Sequence, residues 1–161
     1  MNTFDEIYAE NYMTMFRVAK KMVGNCDDAS DIVQEVFIYL FDKLSGGSLV
    51  HHPKSWLYRA TANKCYDTLR RRNRFQNLDS LGDRKTDDHI IDNQDMKAII
   101  NVALSKLNPQ EKVLAVLYSE GLSYKELAEA TGIKFTSIGT MLSRTLKRLE
   151  KEFKNKQYEL Y

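Results

Sequence analysis

The stretch Ser123-Tyr124-Lys125-Glu126-Leu127-Ala128-Glu129-Ala130-Thr131-Gly132, continued by Ile133-Lys134-Phe135-Thr136-Ser137-Ile138 and on to Leu149, decides how this chain folds. Ser123 and Glu126 have capping-box spacing, in which each side chain accepts a hydrogen bond from the other residue's backbone N–H. They open a short helix. Ala128 is small where two helices must cross closely. Gly132 follows four residues later, where a tight turn needs positive φ, a conformation glycine adopts without steric cost. Ile138 stands six further on and pins a second, longer helix into the core, with Leu142, Leu146 (or Thr145) and Leu149 completing its inner face. This is helix-turn-helix spacing; an ordinary helical hairpin is the plainer alternative. On the helix-turn-helix reading Lys134, Thr136, Ser137, Thr140, Ser143 and Arg144 face outward, with Lys147 and Arg148 beyond them. Such side chains suit a major groove: hydroxyls reach phosphates and base edges, and arginine pairs with guanine.

Working back toward the N-terminus, the helical period persists. Asn108-Pro109-Gln110-Glu111 is a start signal, with a cap residue, a proline at the first helical position and a glutamate at the third. That helix ends near Glu120-Gly121. Before it, Met96, Ile99, Ile100, Ala103, Leu104 and Leu107 recur at helical steps. Nearer the start, Phe4, Ile7, Tyr8, Tyr12, Met15, Ala19 and Met22 form one stripe, broken at Gly24-Asn25. Ala29, Ile32, Val33, Val36, Phe37, Leu40, Phe41 and Leu44 form a second, with Asp27 and Asp28 as its caps. Ser45-Gly46-Gly47-Ser48 stops it. A third helix begins near Pro53 or Lys54 and runs to about Arg72. No segment alternates with period two long enough to propose a strand. The fold class is all-α, in two small helical domains: residues 1–74, a linker at 75–94, and residues 95–161. The linker is predicted from a polar, aperiodic composition that begins at about Asn73.

The composition excludes several classes. Hydrophobic residues make up 43% and charged ones 29%, as expected of a globular chain. No apolar run approaches the roughly 18 residues that span a bilayer, so membrane insertion is not expected. The first residues lack the basic and apolar regions of a signal peptide. Cys26 and Cys65 form no C-x-x-C pair, suit half-buried core positions and fit a reducing cytoplasm. No phosphate-loop, dinucleotide or zinc-protease motif occurs, and His51, His52 and His89 lack metal-ligand spacing with the cysteines. Neither catalysis, a cofactor nor a metal is expected.

Net charge is only +2, but its distribution is uneven. Residues 76–94 carry 2 basic and 5 acidic side chains, while 1–75 and 95–161 are mildly basic. The cations clump at Arg70-Arg71-Arg72 with Arg74, and at Arg144, Lys147, Arg148 and Lys151. Clumping is the footprint of nucleic acid, although cations also gather at helix C-termini for dipole reasons. In the third helix, Trp56, Tyr58 and Tyr66 alternate with Lys54, Arg59, Lys64 and Arg70–Arg72. Aromatics among cations supply what a single strand needs, stacking surfaces and backbone neutralisation. Trp56 and Leu57 could equally be core. Asn63, Lys64 and Asp67 favour the nucleic-acid reading, as polar groups able to meet base edges. The second helix shows Asp28, Asp31, Gln34, Glu35 and Asp42 opposite its apolar stripe, an acidic face that is either solvated or a docking surface.

In combination these segments resemble bacterial RNA polymerase sigma factors of the small extracytoplasmic-function group, a branch of the sigma-70 family. Asp28-Ala29-Ser30-Asp31-Ile32-Val33-Gln34-Glu35-Val36-Phe37 resembles the region 2 signature that grips the polymerase clamp. Trp56-Leu57-Tyr58-Arg59, followed by Asn63, Asp67 and Leu69-Arg70-Arg71-Arg72, is similar to the helix that reads and melts the −10 element. Leu107 to Glu111, and Glu120 to Ala128, resemble the start of region 4. The resemblance implies an alternative sigma factor with core RNA polymerase, promoter DNA and a cognate anti-sigma factor as partners. It assigns Asp28, Asp31, Gln34 and Glu35 to polymerase. It assigns Lys54, Trp56, Tyr58, Arg59, Asn63, Lys64, Asp67, Arg70, Arg71 and Arg72 to the −10 element, and the outward face of the last helix to the −35 element. Thr61 and Ala62 stand where the family often has small and basic residues, and Gly139 and Met141 stand where it often has basic ones. A helix-turn-helix regulator with a helical dimerisation or sensing domain is the alternative.

Overall fold

The computed structural model describes residues 3–78 and 95–159. They form seven helices: α1 Phe4–Val23, α2 Cys26–Ser45, α3 Pro53–Leu78, α4 Asp95–Ser105, α5 Pro109–Ser119, α6 Tyr124–Thr131 and α7 Phe135–Glu159. No strand occurs among the described residues, as the sequence predicts.

Each boundary has a local cause. The predicted boxes are present: Ser123 Oγ accepts from the Glu126 N–H while Glu126 Oε1 accepts from Ser123 N–H, and Asn108 and Glu111 do the same one helix earlier. Gly132 has φ 76° and its N–H closes α6 on the Ala128 carbonyl at 2.9 Å. A third capping box, Thr3 with Glu6, starts α1, and its T-x-x-E spacing was there to be read. The cap of α2 is Asn25 rather than Asp27 or Asp28: its Oδ1 accepts from the Asp28 N–H at 2.8 Å. Helix α3 continues six residues past Arg72, through Leu78, so residues 75–78 of the predicted linker are helical. The remainder, 79–94, lies outside the described residues.

Helices α1, α2 and α3 enclose Met15, Met22, Leu40 and Leu57, all fully buried. In the second lobe Leu114, Leu117, Leu127 and Ile138 are equally sealed. Thr145, not Leu146, sits in the inner row of α7, its hydroxyl satisfied by donating to the Met141 carbonyl. Phe41 was expected inside but is half exposed, and Tyr8 is exposed as well. Of the two cysteines expected to be half-buried, Cys65 is fully buried and Cys26, at the first turn of α2, is exposed. Thr61 and Ala62 are core residues, which explains why neither is basic.

The lobes also pack on each other. Helix α3 lies against α5 and α6, and α1 against α5, so one apolar cluster runs through both lobes. At its edge the nearly buried Glu120 carboxylate receives Arg17 at 2.8 Å and Lys21 at 3.5 Å.

Candidate nucleic-acid and polymerase interfaces

Helix periodicity sorts the α3 candidates into three rows. Trp56, Arg59, Asn63, Asp67 and Arg70 fall on the side away from the buried Leu57, Thr61, Cys65 and Leu69. Trp56 is half-buried and the other four are exposed. Arg70 adds to this ridge by lying over the Tyr66 ring, 5.8 Å from its centroid, a cation–π contact. A second row, Lys64 and Arg71, turns toward α2 and is exposed.

The third row points inward. Tyr58 is only 7% exposed and sits where α3 meets the second lobe. Burial there, with Glu120 close by, raises the pKa of its hydroxyl. In this arrangement Tyr58 packs the lobes together and offers no stacking surface. Arg72 is committed too. Its guanidinium donates to the Val23 carbonyl at 2.6 Å and is ion-paired with Asp28. It thus ties the end of α1, the start of α2 and the middle of α3. Lys54 is exposed near Glu126, whose pKa is lowered chiefly by the Ser123 backbone N–H, with Lys54 adding to the effect.

On α2, Asp31, Gln34 and Glu35 are exposed opposite the apolar stripe. Asp28 is half-buried, and its carboxyl is held below the usual range by the Asn25 side-chain amide and then by Arg72. Glu35 accepts an ion pair from Lys64 at 3.1 Å. The acidic row of α2 and the second cationic row of α3 therefore form the two walls of one groove.

Helix α7 is simpler. Thr136, Thr140, Ser143 and Lys147 stand at i, i+4, i+7 and i+11 and form an exposed ridge, opposite Ile138, Leu142 and Thr145. Lys134 and Arg144 are exposed beside it, and Ser137 is half-buried. Arg148 lies nearer α5 and is engaged with Glu111 at 2.7 Å, so it braces α7 on the cap of α5. A Cβ added at Gly139 would lie 3.6 Å from the Tyr124 ring, so this position faces α6 and not the ridge.

Sequence reasoning missed the Arg17–Glu120–Lys21 cluster, since nothing local joins α1 to the end of α5. Among the described residues no group of three or more His, Cys, Asp or Glu could hold a metal, and no helix is long and apolar enough to cross a membrane.

Two helical lobes, one with an aromatic and cationic ridge and the other with a helix-turn-helix, match one family of known proteins. Sigma-70 region 2 matches residues 7–75, and Sigma-70 region 4 matches residues 97–149. The chain is 31% identical over 140 residues to the RNA polymerase sigma factor SigV of Bacillus subtilis, covering 82% of this chain and 80% of that protein. It is 30% identical over 156 residues to the ECF RNA polymerase sigma factor SigE of Mycolicibacterium smegmatis, where it covers 89% of this chain but spans only 58% of the relative. Among solved structures, the sigma factor RpoE of Bartonella quintana, in complex with the anti-sigma factor NepR, superposes with a TM-score of 0.70. That match has 22% identity and covers 94% of this chain and 96% of the other, and it bears on the fold alone. The chain belongs to the sigma-70 family, in its extracytoplasmic-function group. The region 2 match leaves the regulator alternative without support.

Proposed function

We propose that this chain is an alternative sigma factor: it binds core RNA polymerase, directs it to promoters and helps open them. The work is binding, with no covalent step and no cofactor, and its place is the cytoplasm, with the transcription machinery. The observation that carries the reading is the pairing of two different ridges. The α7 ridge offers hydroxyls and cations on a helix the width of a major groove, which suits duplex at the −35 element. The α3 ridge offers Trp56, Asn63 and the Arg70–Tyr66 pair, which suits unstacked bases at the −10 element. Asp31, Gln34 and Glu35 would meet a basic polymerase clamp, adding on-rate and orientation. An anti-sigma factor is the natural antagonist, by analogy with the Bartonella protein's own partner.

The test is in vitro transcription with core polymerase on a genomic promoter pool, sequencing the start sites. Starts clustered downstream of one shared pair of elements are expected. Starts no different from those of core polymerase alone would refute the proposal.

A further inference from the structure

The polymerase-facing and DNA-facing candidates do not occupy separate surfaces. Glu35 on α2 and Lys64 on α3 are bonded to each other at 3.1 Å across the groove between their helices. Their side chains are 60% and 45% exposed, so water and salt reach both. Pairs of this kind contribute about 0.2–1 kcal/mol, little enough for a competing charge to replace either partner. The neighbouring Asp28–Arg72 pair differs, because Arg72 is also anchored on the Val23 carbonyl and is not free to leave. Asp31 supplies a built-in contrast: it lines the same groove, is exposed, and has no ion-pair partner among the described residues.

We propose that Glu35 is a coupling residue: in the free chain it holds Lys64 as an internal counter-charge, and a polymerase cation that takes over Glu35 releases Lys64 to a DNA phosphate. The exchange swaps one ion pair for two, so each ligand favours the other. By linkage the effect is reciprocal: promoter strand bound at Lys64 strengthens the hold on the clamp by the same factor. The inference rests on the proposed function in two respects, that Lys64 meets the DNA backbone and that Glu35 meets a cation of polymerase.

A double-mutant cycle on the full chain tests it, with a fluorescein-labelled 20-mer of thymidines as probe and anisotropy at low salt as the readout. Lys64→Gln should weaken binding. Glu35→Gln should strengthen it by about 1.4- to 5-fold, the range that the exposed-pair energy converts to. It should also steepen the log–log salt slope by up to about 0.7, as a released cation joins the phosphate contacts. In the Lys64→Gln background both gains should shrink to the long-range effect that Asp31→Asn shows. Asp31→Asn removes the same charge from the same groove, and its effect should be equal in both backgrounds. If Glu35→Gln helps equally with and without Lys64, the exchange is wrong and only long-range charge is at work, while the DNA role of Lys64 stands. If Lys64→Gln leaves binding unchanged, the DNA role itself fails and the exchange falls with it.

Discussion

On α7 and in the turn before it, Lys134, Arg144 and Lys147 are exposed, and among the described residues no carboxylate pairs with any of them. On α3 the cations beside α2 and the end of α1 are engaged, Lys64 with Glu35 and Arg72 with Asp28 and the Val23 carbonyl, while Arg59, Arg70 and Arg71 stay exposed, Arg70 lying over Tyr66. The difference follows from what each helix lies beside. Helix α7 turns its ridge away from the rest of its lobe, whereas one side of α3 runs along the acidic row of α2. A surface with free cations is ready for duplex on its own. A cation matched internally, as Lys64 is, meets another charge only when its partner is displaced.

The largest effects test whether the two lobes are separable at all. Leu57 in the first lobe and Ile138 in the second are both fully buried. Leu57→Ala and Ile138→Ala should each cost about 2–5 kcal/mol. Because one apolar cluster joins the lobes, each variant should shift a single cooperative urea transition. Two transitions, with each variant moving only its own, would show that the lobes fold separately.

A smaller effect separates the engaged cations from the free ones on α3. Arg72→Ala removes the partner of the Val23 carbonyl and of Asp28, and should cost about 1–3 kcal/mol of stability. Arg70→Ala, on the exposed ridge, should stay within ~0.5 kcal/mol of the parent and instead impair promoter opening. Thermal melts of the two variants side by side check this. Equal losses of stability would erase the distinction drawn between the rows.

The smallest effect is a pH dependence at the lobe contact. Burial, followed by the charge of Arg72, draws the Lys112 ammonium on α5 down to about 8. Burial pushes the Cys65 thiol on α3 up to about 12. Between pH 8 and the ordinary lysine value the unfolded chain binds more protons at Lys112 than the folded one, so stability rises with pH. Cys65 works the other way. Its contribution is intact below the ordinary thiol value of 9.0 and is lost as pH climbs toward 12. Stability should therefore rise from pH 8 to 9 and flatten above. Lys112→Met should abolish the rise, and urea midpoints across this interval are the measurement.

Much of this was legible in the sequence because it is local. Capping boxes at Asn108 and Ser123, the positive φ at Gly132 and the apolar rows of α1 and α2 depend on residues three or four apart. Helix α3 past Arg72 was missed for an equally local reason: Arg and Gln are good helix formers, yet Arg74, Phe75 and Gln76 are all exposed and impose no apolar period. The site was less legible. Tyr58 and Trp56 look alike along the chain, but only packing against a lobe more than fifty residues away buries Tyr58. The Glu35–Lys64 pair is likewise invisible until α2 and α3 are side by side.

The division of labour between the ridges can be measured on one template, by run-off transcription with core polymerase from a promoter whose −10 region is either paired or already melted. Arg144→Ala should lose about 1–3 kcal/mol of duplex affinity if it meets a base edge, and melting the −10 bubble beforehand should leave that defect largely in place. Asn63→Ala should spare closed-complex binding and impair opening, so the bubble should restore much of its activity and leave only the base-capture deficit. Identical responses of the two variants to the bubble would contradict the account.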